Sequence, residues 1–419
     1  PSAGSLVFRS EPAEDDAQDT KTGRTVVSVT VPVDARVDED GALTNGKAGE
    51  RVTLKYTLDY QSGEGWRISR LEDGILLSQR DFHFTYGSVH LYFPDRKGDY
   101  LVPDLRWFPS TDDEATATRA VRQLLKGPAP WLDPAVTSGF PLGTDFAAKL
   151  VPVSDGEATV DVTPEVWNAT ETQRSLLLAQ LGATLSGVNA SIKRLRVTVD
   201  QADFIEGSAL VSPFSRPTLV RRTPGGGTRP IAITDDGTLV RITAGGAEEV
   251  KGVESLNDLG GTRPAVAPGE AVFALLSGDR SKLYLVDNRG RRKTTQDAVP
   301  DRNAGSSKQA TPVEPEPAQL VATGEKLVAP SFDPQGWVWT ASRRGTGRLV
   351  AATPDGGSAA PVAEWLDGLT VSAIRLSRDG SRAAVVVQDG GRGTVLVAGV
   401  VRALDGRPVR LGDPYEVLP

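Results

Sequence analysis

The sequence predicts a multidomain chain, with an α+β sheet domain at residues 1–88, a second α+β domain at 89–205 and an all-β propeller domain at 206–419. Three observations support this division. Apolar residues alternate strictly near the start, two capped amphipathic helices follow, and short strand–turn–strand repeats fill the second half. The length of 419 residues agrees with several domains, because one hydrophobic core rarely serves more than about 250 residues.

Alternating apolar residues predict the first domain. Every second position of residues 27–37 is Val or Ala, and the alternation returns in 52–60. This pattern places apolar side chains on one face of a strand, and residues 66–68 begin a third strand of an antiparallel meander. The apolar face of such a sheet needs a covering element, either from a segment before residue 1 or from a neighbouring domain. Residues 1–24 are polar and acidic, and we expect a loop or a frayed terminus there.

Two capping boxes predict the helices of the second domain. Thr111 with Glu114, and Thr170 with Gln173, match the pattern in which side chains three residues apart satisfy free backbone N–H groups at a helix start. Apolar residues follow each box at helical spacing. Strands are predicted at residues 89–93, 101–108, 148–153, 157–162 and 195–199, which gives the order β-β-α-β-β-α-β.

Near-repeats predict the propeller. Helical periodicity ends at about residue 205, and four units follow, each with a short strand, a Gly-containing turn and a further strand. Repeats of this size built from short strands indicate a radial array, and a propeller needs at least four blades. Residues 291–317 are rich in Pro, Ser and charge, and we expect an inter-strand loop there.

Composition excludes several classes of protein. Lys and Arg number 47 against 54 Asp and Glu, a net charge of −7, so the clustered positive charge that nucleic acid requires is not expected. Cysteine is absent, which excludes a disulfide framework and thiolate sites. No apolar run approaches the roughly 20 residues of a membrane-spanning helix. Methionine is absent even at position 1, so we expect the sequence to be a piece of a longer protein.

The motifs of catalysis are missing from the sequence. His83 and His90 are the only histidines, which excludes a multi-histidine zinc site. The sequence also lacks the motif that usually surrounds the serine of a Ser-His-Asp triad. We interpret His83 as a structural side chain at the junction of the first two domains. Glycines 225–227 lack the Lys-Ser/Thr of a phosphate-binding loop and read as a turn. We therefore predict no catalytic residue, metal site or cofactor.

Acidic residues leave one enzymatic alternative open. Residues 112–114 are acidic, and the helix macrodipole explains them at a helix start. Asp287, Asp333 and Asp379 recur at turn positions of the repeats. A pair of such acids across a propeller funnel would suit a hydrolase, but the companion motifs are missing, and this reading is disfavoured.

Four tryptophans are the candidate partner-binding residues, since interfaces are enriched in Trp. They are Trp131, Trp337, Trp339 and Trp365. Trp131 lies in a Pro-rich loop, where exposed and buried positions are equally expected. The alternation of Trp337 and Trp339 along a strand favours the core for both.

The residues also resemble a known family. The segment 119–128, Arg-Ala-Val-Arg-Gln-Leu-Leu-Lys-Gly-Pro, is similar to a GerMN domain, and 330–340 resembles the propeller of the actinobacterial LpqB lipoproteins. Segments 74–78 and 81–82 resemble the first domain of that family, which is of the nuclear transport factor 2-like type and is expected to be incomplete here. The domain order matches the family along nearly the whole chain.

The resemblance implies an accessory protein of a signalling system. Members of the family are anchored outside the cytoplasmic membrane through an acylated cysteine, which does not occur in this sequence. They act on the MtrA–MtrB two-component system through the extracytoplasmic part of the MtrB sensor kinase, and so on cell-wall homeostasis, division and sporulation. No catalytic residue carries over from the family. Peptidoglycan binding is the first alternative function, and a propeller hydrolase is the second.

Overall fold

Strands dominate the structure. The computed structural model describes residues 4–9, 14–20, 23–47, 49–110, 112–204, 228–289, 317–343, 349–389 and 392–418. These form two compact units, Pro1–Arg222 with Glu416–Pro419, and Thr223–Tyr415. The predicted turn at 225–227 lies outside the described residues, as does all of the predicted loop at 291–317 except Pro317. None of the described helices combines the length and apolarity needed to cross a bilayer.

The first unit begins with a seven-stranded sheet. Its elements are β1 (Ser5–Phe8), β2 (Glu14–Thr20), β3 (Arg24–Val37), β4 (Leu43–Asn45), β5 (Arg51–Gln61), β6 (Gly65–Arg70) and β7 (Ile75–Ser78), followed by α1 (Gln79–Thr85). The strand order is β6-β5-β3-β1-β7, and β2 and β4 also pair with β3. The predicted meander β3-β5-β6 is therefore confirmed. The prediction of a loop at residues 1–24 is wrong, because β1 and β2 both pair with β3.

Only one end of the apolar face of β3 is fully covered. Val37 and Ala35 are buried in a cluster with Val7, Phe82 and Tyr86. Phe82 reaches this cluster from α1, a short helix that the sequence patterns did not predict. The cap of α1 is local, since the Ser78 hydroxyl accepts the Asp81 N–H at 3.1 Å.

The second α+β domain has the predicted order of elements, followed by one short strand that was not predicted, β13. They are β8 (Tyr86–Pro94), β9 (Leu101–Pro109), α2 (Asp113–Lys126), β10 (Val153–Ser154), β11 (Glu157–Val162), α3 (Glu171–Val188), β12 (Arg194–Val199) and β13 (Ala202–Asp203). The hairpin β8-β9 is separate from the sheet β10-β11-β12-β13, in which β11 and β12 run parallel. The strand predicted at 148–153 is shorter than expected, because only Val153 and Ser154 pair with β11.

The two helix starts differ in how well they were predicted. At α3 the capping box of Thr170 and Gln173 is present in both directions, as predicted. At α2 the prediction is wrong by one position. The Asp112 carboxylate accepts the Ala115 N–H at 2.7 Å, so Asp112 is the N-cap and Thr111 lies outside the described residues. Both residue types cap well, and Asp112 also suits the positive end of the helix macrodipole.

The second unit contains four antiparallel sheets within its described part. The first sheet contains β14 (Ile231–Ile233), β15 (Leu239–Thr243) and β16 (Gly246–Glu249), and the second contains β17 (Thr262–Val266), β18 (Val272–Leu276), β19 (Lys282–Asp287) and β20 (Gln319–Thr323). The third contains β21 (Ser331–Phe332), β22 (Val338–Ala341), β23 (Leu349–Ala352) and β24 (Ser358–Ala359). The fourth contains β25 (Thr370–Leu376), β26 (Arg382–Asp389), β27 (Arg392–Arg402) and β28 (Pro408–Leu411). A last strand, β29, spans Tyr415–Leu418. The first strands of successive sheets, β14, β17, β21 and β25, are neighbours. Successive sheets of short antiparallel strands, each next to the following one, agree with the predicted propeller.

A buried carboxylate joins the last two of these sheets. Asp333 has no exposed surface, and its Oδ1 accepts the N–H groups of Gln335 at 3.0 Å and Trp337 at 2.9 Å. Its Oδ2 accepts the Trp339 indole N–H at 3.0 Å and Arg402 Nη2 at 2.6 Å. The turn position predicted for Asp333 is correct. Its side chain additionally ties the turn after β21 to the end of β27.

Candidate binding surfaces

Three of the candidate tryptophans pack in the propeller. Trp339 is completely buried, so it is withdrawn from the candidate contact residues and belongs to the core, the reading that its alternation favoured. Trp337 and Trp365 pack against the same core and keep part of their surface exposed. The Trp365 indole donates to the Gly412 carbonyl at 3.0 Å. Partner binding by Trp337 and Trp365 stays a prediction.

Trp131 lies at the edge of the second domain. It packs against the core of that domain and is half-buried, directly before the fully buried Leu132. Trp131 belongs to the first compact unit, and the three propeller tryptophans belong to the second. Its role in partner binding also stays a prediction.

An apolar surface of the first sheet was not singled out from the sequence. We call it the open sheet face and define it by Leu58, Tyr60, Trp66 and Ile68. Tyr60 pairs with Trp66 and Leu58 with Ile68 across β5 and β6, so all four side chains share one face. Tyr60 is 56% exposed, Trp66 43% and Ile68 54%, and the two aromatic rings meet edge to face at 5.5 Å. The signal in the sequence was the same alternation that predicted the strands.

A cavity of about 660 Å³ also lies in this domain. Leu54 and Tyr56 of β5 line it, together with Val37, Leu71 and Ile75. Leu71 is 54% exposed. Leu54 and Tyr56 alternate with Leu58 and Tyr60 along β5, so their side chains lie on the same face of that strand as the open sheet face.

A turn of the first domain rests on the second domain. We call residues 38–41 the junction turn. The Trp107 N–H donates to the Gly41 carbonyl at 2.8 Å, and Arg106 Nη1 donates to the Asp40 carbonyl at 3.0 Å. Lys126 at the end of α2 lies 2.6 Å from the Asp40 carboxylate, a hydrogen bond that lowers the pKa of Asp40 and raises the pKa of Lys126.

A buried ion pair stands behind the junction turn. Arg106 Nη2 lies 2.8 Å from Asp104 Oδ2, and both side chains are at most 5% exposed. The same carboxylate oxygen accepts the Ala129 N–H at 2.7 Å. Arg106 thus links Asp104 of its own domain to the Asp40 backbone of the first domain. The two domains also share an apolar contact at the junction, since the ring centroids of Trp107 and Phe82 lie 5.1 Å apart.

A cleft lies beside the junction turn, and we call it the junction cleft. Its volume is about 420 Å³. Aromatic side chains of Tyr86, Trp107 and Phe108 line it, with Arg119 on the side of α2 and Glu39 on the side of the junction turn. The cleft therefore combines an aromatic surface with charges of both signs.

Gly41 allows the junction turn to approach Trp107 and Phe108 closely. Replacing Gly41 by alanine is expected to destabilise the first unit by about 1–3 kcal/mol. Its φ is +80°, and a Cβ would lie 2.8 Å from the Phe108 ring and 2.9 Å from the Trp107 carbonyl. Gly63→Ala is the matched control, because Gly63 has φ +88° with nothing within 4 Å and reports backbone strain alone. Urea unfolding measures the free energy of unfolding of both variants. An equal loss of stability in the two would contradict a steric role for Gly41.

The histidines and acidic residues are the possible metal ligands of this chain. No group of three or more His, Asp or Glu among them could hold a metal ion. His83 and His90 are both exposed. His83 lies on α1, with its ring centroid 5.8 Å from that of Phe82, and its interpretation as a structural side chain stays a prediction.

Family models match the chain in three successive parts. The model of the Lipoprotein LpqB N-terminal domain matches residues 1–83, and the model of the Lipoprotein LpqB beta-propeller domain matches residues 237–419. Between them, the Germane model, whose description is sporulation and spore germination, matches residues 90–203.

Curated relatives named Lipoprotein LpqB match most of this chain. The protein of Mycolicibacterium smegmatis is 29% identical over 426 residues, covering 93% of this chain and 66% of the relative. That of Thermobifida fusca is 26% identical, covering 90% and 63%, and that of Mycobacterium tuberculosis is 29% identical, covering 84% and 59%. The chain thus spans between about half and two thirds of the length of the relatives that it matches.

Solved structures match single parts of the chain. The first GerMN domain of the sporulation protein GerM from Bacillus subtilis is 22% identical, with 31% of this chain and 94% of that chain covered and a TM-score of 0.24. TolB from Acinetobacter baumannii is 14% identical, with 46% and 44% covered and a TM-score of 0.28. The family models and the curated relatives, in the same domain order, show that this chain belongs to the LpqB lipoprotein family of actinobacteria.

Proposed function

We propose that this chain is the extracytoplasmic part of an accessory lipoprotein that binds the ectodomain of an MtrB-type sensor kinase and biases its signalling state. Cell-wall homeostasis, division and sporulation are the processes affected. The relatives are named lipoproteins, which supports a membrane-anchored protein on the outer face of the membrane. The role is binding without catalysis.

We further propose three functional domains at residues 1–88, 89–205 and 206–419. The first two work as one body, because Arg106, Trp107 and Lys126 of the second hold the junction turn of the first. A surface on either domain is then presented to a partner in a fixed orientation relative to the other.

The open sheet face is the observation that carries partner binding. Trp and Tyr are enriched among the residues that dominate interface energies, and here one of each lies exposed on adjacent strands. Adjacent apolar side chains on a surface mark an interaction site more often than scattered ones do. Tyr60 and Trp66 form the centre of the proposed contact, with Leu58 and Ile68 beside them.

The test is a calorimetric titration of the purified sensor ectodomain with this chain. Trp66→Ala is expected to weaken binding by at least about tenfold, since interface anchors contribute on the order of 2 kcal/mol. Trp167→Ala is the matched control, because Trp167 is 47% exposed on the second domain and its loss is expected to leave the affinity unchanged.

Two outcomes would contradict the proposed contact. Equal weakening by both variants would point to a general loss of stability, and no weakening by Trp66→Ala would remove the open sheet face from the interface. If the sensor ectodomain does not bind at all while the chain sediments with purified sacculi, the peptidoglycan-binding alternative replaces the sensor.

A further inference from the structure

The cavity of the first domain lies between two halves of a curled sheet, and we call it the sheet cavity. Through β5, Arg70 lies level with Val26 of β3, and through β1, Ile75 lies level with Val37. These two levels are 11 residues apart on β3, which is about 36 Å along a straight strand. The five Cα steps from Arg70 to Ile75 span at most about 18 Å. β3 therefore bends, and residues 71–74, which we call the cavity strap, connect the two halves.

Aliphatic side chains supply the apolar wall of the sheet cavity. They come from β5 in one half of the sheet, from β1, β3 and β7 in the other half, and from the cavity strap: Leu6, Val37, Leu54, Leu71, Ile75 and Leu76. Tyr56 is the one aromatic residue among the described residues that line the cavity. Aromatic ligands gain from stacking on aromatic partners, and this wall offers a single ring. It therefore suits a flexible aliphatic ligand better than a flat aromatic one.

The charged residues of the wall are either paired or exposed to solvent. Arg36 Nη2 lies 2.7 Å from Glu50 Oε1, and the Asp38 carboxylate accepts two backbone N–H groups of its own turn. The other three are all exposed: Lys55, Glu72 and Asp73. The wall thus carries three acidic and two basic residues, a balance that does not favour an anionic group inside the cavity.

The buried polar side chain of the wall already has a partner. The Ser5 hydroxyl lines the cavity and lies 2.6 Å from the Tyr86 hydroxyl. Among the described residues, the buried side-chain nitrogen and oxygen atoms that lack a hydrogen-bond partner all lie outside this wall. A ligand that carried polar groups into the cavity would leave those groups unpaired, which is costly. An uncharged apolar chain meets no such cost.

We propose that the sheet cavity binds the aliphatic chain of a lipid, with the headgroup of the lipid outside, beside the cavity strap. Leu71 is 54% exposed, and Glu72 and Asp73 are exposed as well, so the cavity reaches solvent there. The volume of about 660 Å³ falls within the range of small-molecule sites, about 300–1,000 Å³. Burial of the chain in an apolar wall supplies the affinity. The assignment to a lipid rests on the proposed anchoring at a membrane, whereas the binding of an aliphatic chain rests on the cavity alone.

The test is a calorimetric titration of the whole chain with 1-hexanol, 1-heptanol and 1-octanol. We expect saturable binding that tightens about fourfold with each added methylene, because each buried CH₂ group is removed from water. 1-Octanol should bind with a Kd of about 1 mM or tighter. An absence of saturable binding, or an affinity that does not depend on chain length, would overturn the proposal.

Three variants locate the bound chain in the sheet cavity. Leu54→Trp should fill the cavity and weaken the binding of 1-octanol at least about tenfold. Leu71→Trp at the exposed cavity strap should also weaken it, and circular dichroism checks that each variant folds. Thr53→Trp is the matched control, because Thr53 is exposed and the neighbouring position of a strand faces the other side of the sheet. If neither filling variant weakens binding, or if Thr53→Trp weakens it as much, the sheet cavity is not the site.

Two competitors separate the sources of the chain. Monomeric dodecanoyl lysophosphatidylcholine carries a straight acyl chain, and farnesol carries a branched isoprenoid chain. Displacement of 1-octanol by either compound supports a lipid ligand, and the compound that acts at the lower concentration identifies its class. Displacement by neither would overturn the assignment to a lipid. Binding of the sensor is a separate measurement, because Trp66 does not line the sheet cavity.

Discussion

Asp333→Ala is expected to destabilise the propeller unit by about 3–5 kcal/mol, because it leaves a nearly buried cation without its partner. Arg402 is 11% exposed and lies 2.6 Å from the Asp333 carboxylate. The substitution also removes the acceptor of the Trp339 indole N–H and of two backbone N–H groups. The Gly380 and Gly406 carbonyls still accept from Arg402, but neither compensates its charge.

Urea or thermal unfolding of the propeller unit measures this loss. Asp405→Ala is the matched control, because Asp405 caps a turn in the same way, accepting the Arg407 N–H at 2.9 Å, and its side chain is 67% exposed. It should cost no more than about 1 kcal/mol. Similar losses for the two variants would mean that the turn hydrogen bond, and not the buried pair, supplies the stability.

The double variant Asp333→Leu with Arg402→Met tests the physical cause. Replacing both members of a buried ion pair by apolar residues is often much milder than removing one. We expect the double variant to be more stable than Asp333→Ala alone. Strict additivity of the two substitutions would contradict direct coupling between these side chains.

Arg106→Leu is expected to destabilise the first unit by a similar amount, about 3–5 kcal/mol. It leaves the Asp104 carboxylate, which is 2% exposed, without its cation, although the Ala129 N–H still donates to it. It also removes the hydrogen bond from Arg106 to the Asp40 carbonyl. The first domain and the second therefore lose stability together.

Circular dichroism during urea unfolding measures this second effect. Arg24→Leu is the control, because Arg24 forms a two-bond pair with Asp59 at 2.6 and 3.0 Å, with side chains 63% and 33% exposed. Exposed pairs contribute about 0–1 kcal/mol. If Arg24→Leu is as damaging as Arg106→Leu, burial does not decide the contribution of these ion pairs.

Local patterns predicted the elements that depend on local chemistry. The alternation of residues 27–37 predicted β3, since the period of two is a property of the strand itself. The capping box at Thr170 and Gln173 predicted the start of α3, because both partners lie within one helical turn. The repeats after residue 205 predicted sheets of short strands for the same reason.

Elements stabilised by distant partners were missed. β1 is only four residues long and exists because β3 and β7 pair with it on either side. At α2, Thr111 and Asp112 are both good caps, and the local sequence does not choose between them. The ion pair of Asp333 was also missed, because its partner Arg402 lies 69 positions away, a separation that no local pattern reports.

The candidate surfaces were predicted only in part. The sequence indicates which face of the first sheet is apolar, but only the structure shows that α1 covers one end and leaves Tyr60 and Trp66 exposed. The junction cleft requires the junction turn and α2 to meet, and the two residues that join them, Asp40 and Lys126, lie 86 positions apart in the sequence. Both surfaces depend on which segments of the chain lie close together in space, and residue type alone does not reveal this.

The junction turn also limits how this family can change. Gly41 has no room for a side chain against Phe108, and the Asp40 carbonyl is an acceptor that Arg106 requires. We therefore expect a side chain at position 41 to be tolerated better when Phe108 is replaced by a smaller residue. A hybrid that joins this first domain to another GerMN domain is expected to be more stable when the residues at positions 106–108 are transferred with it.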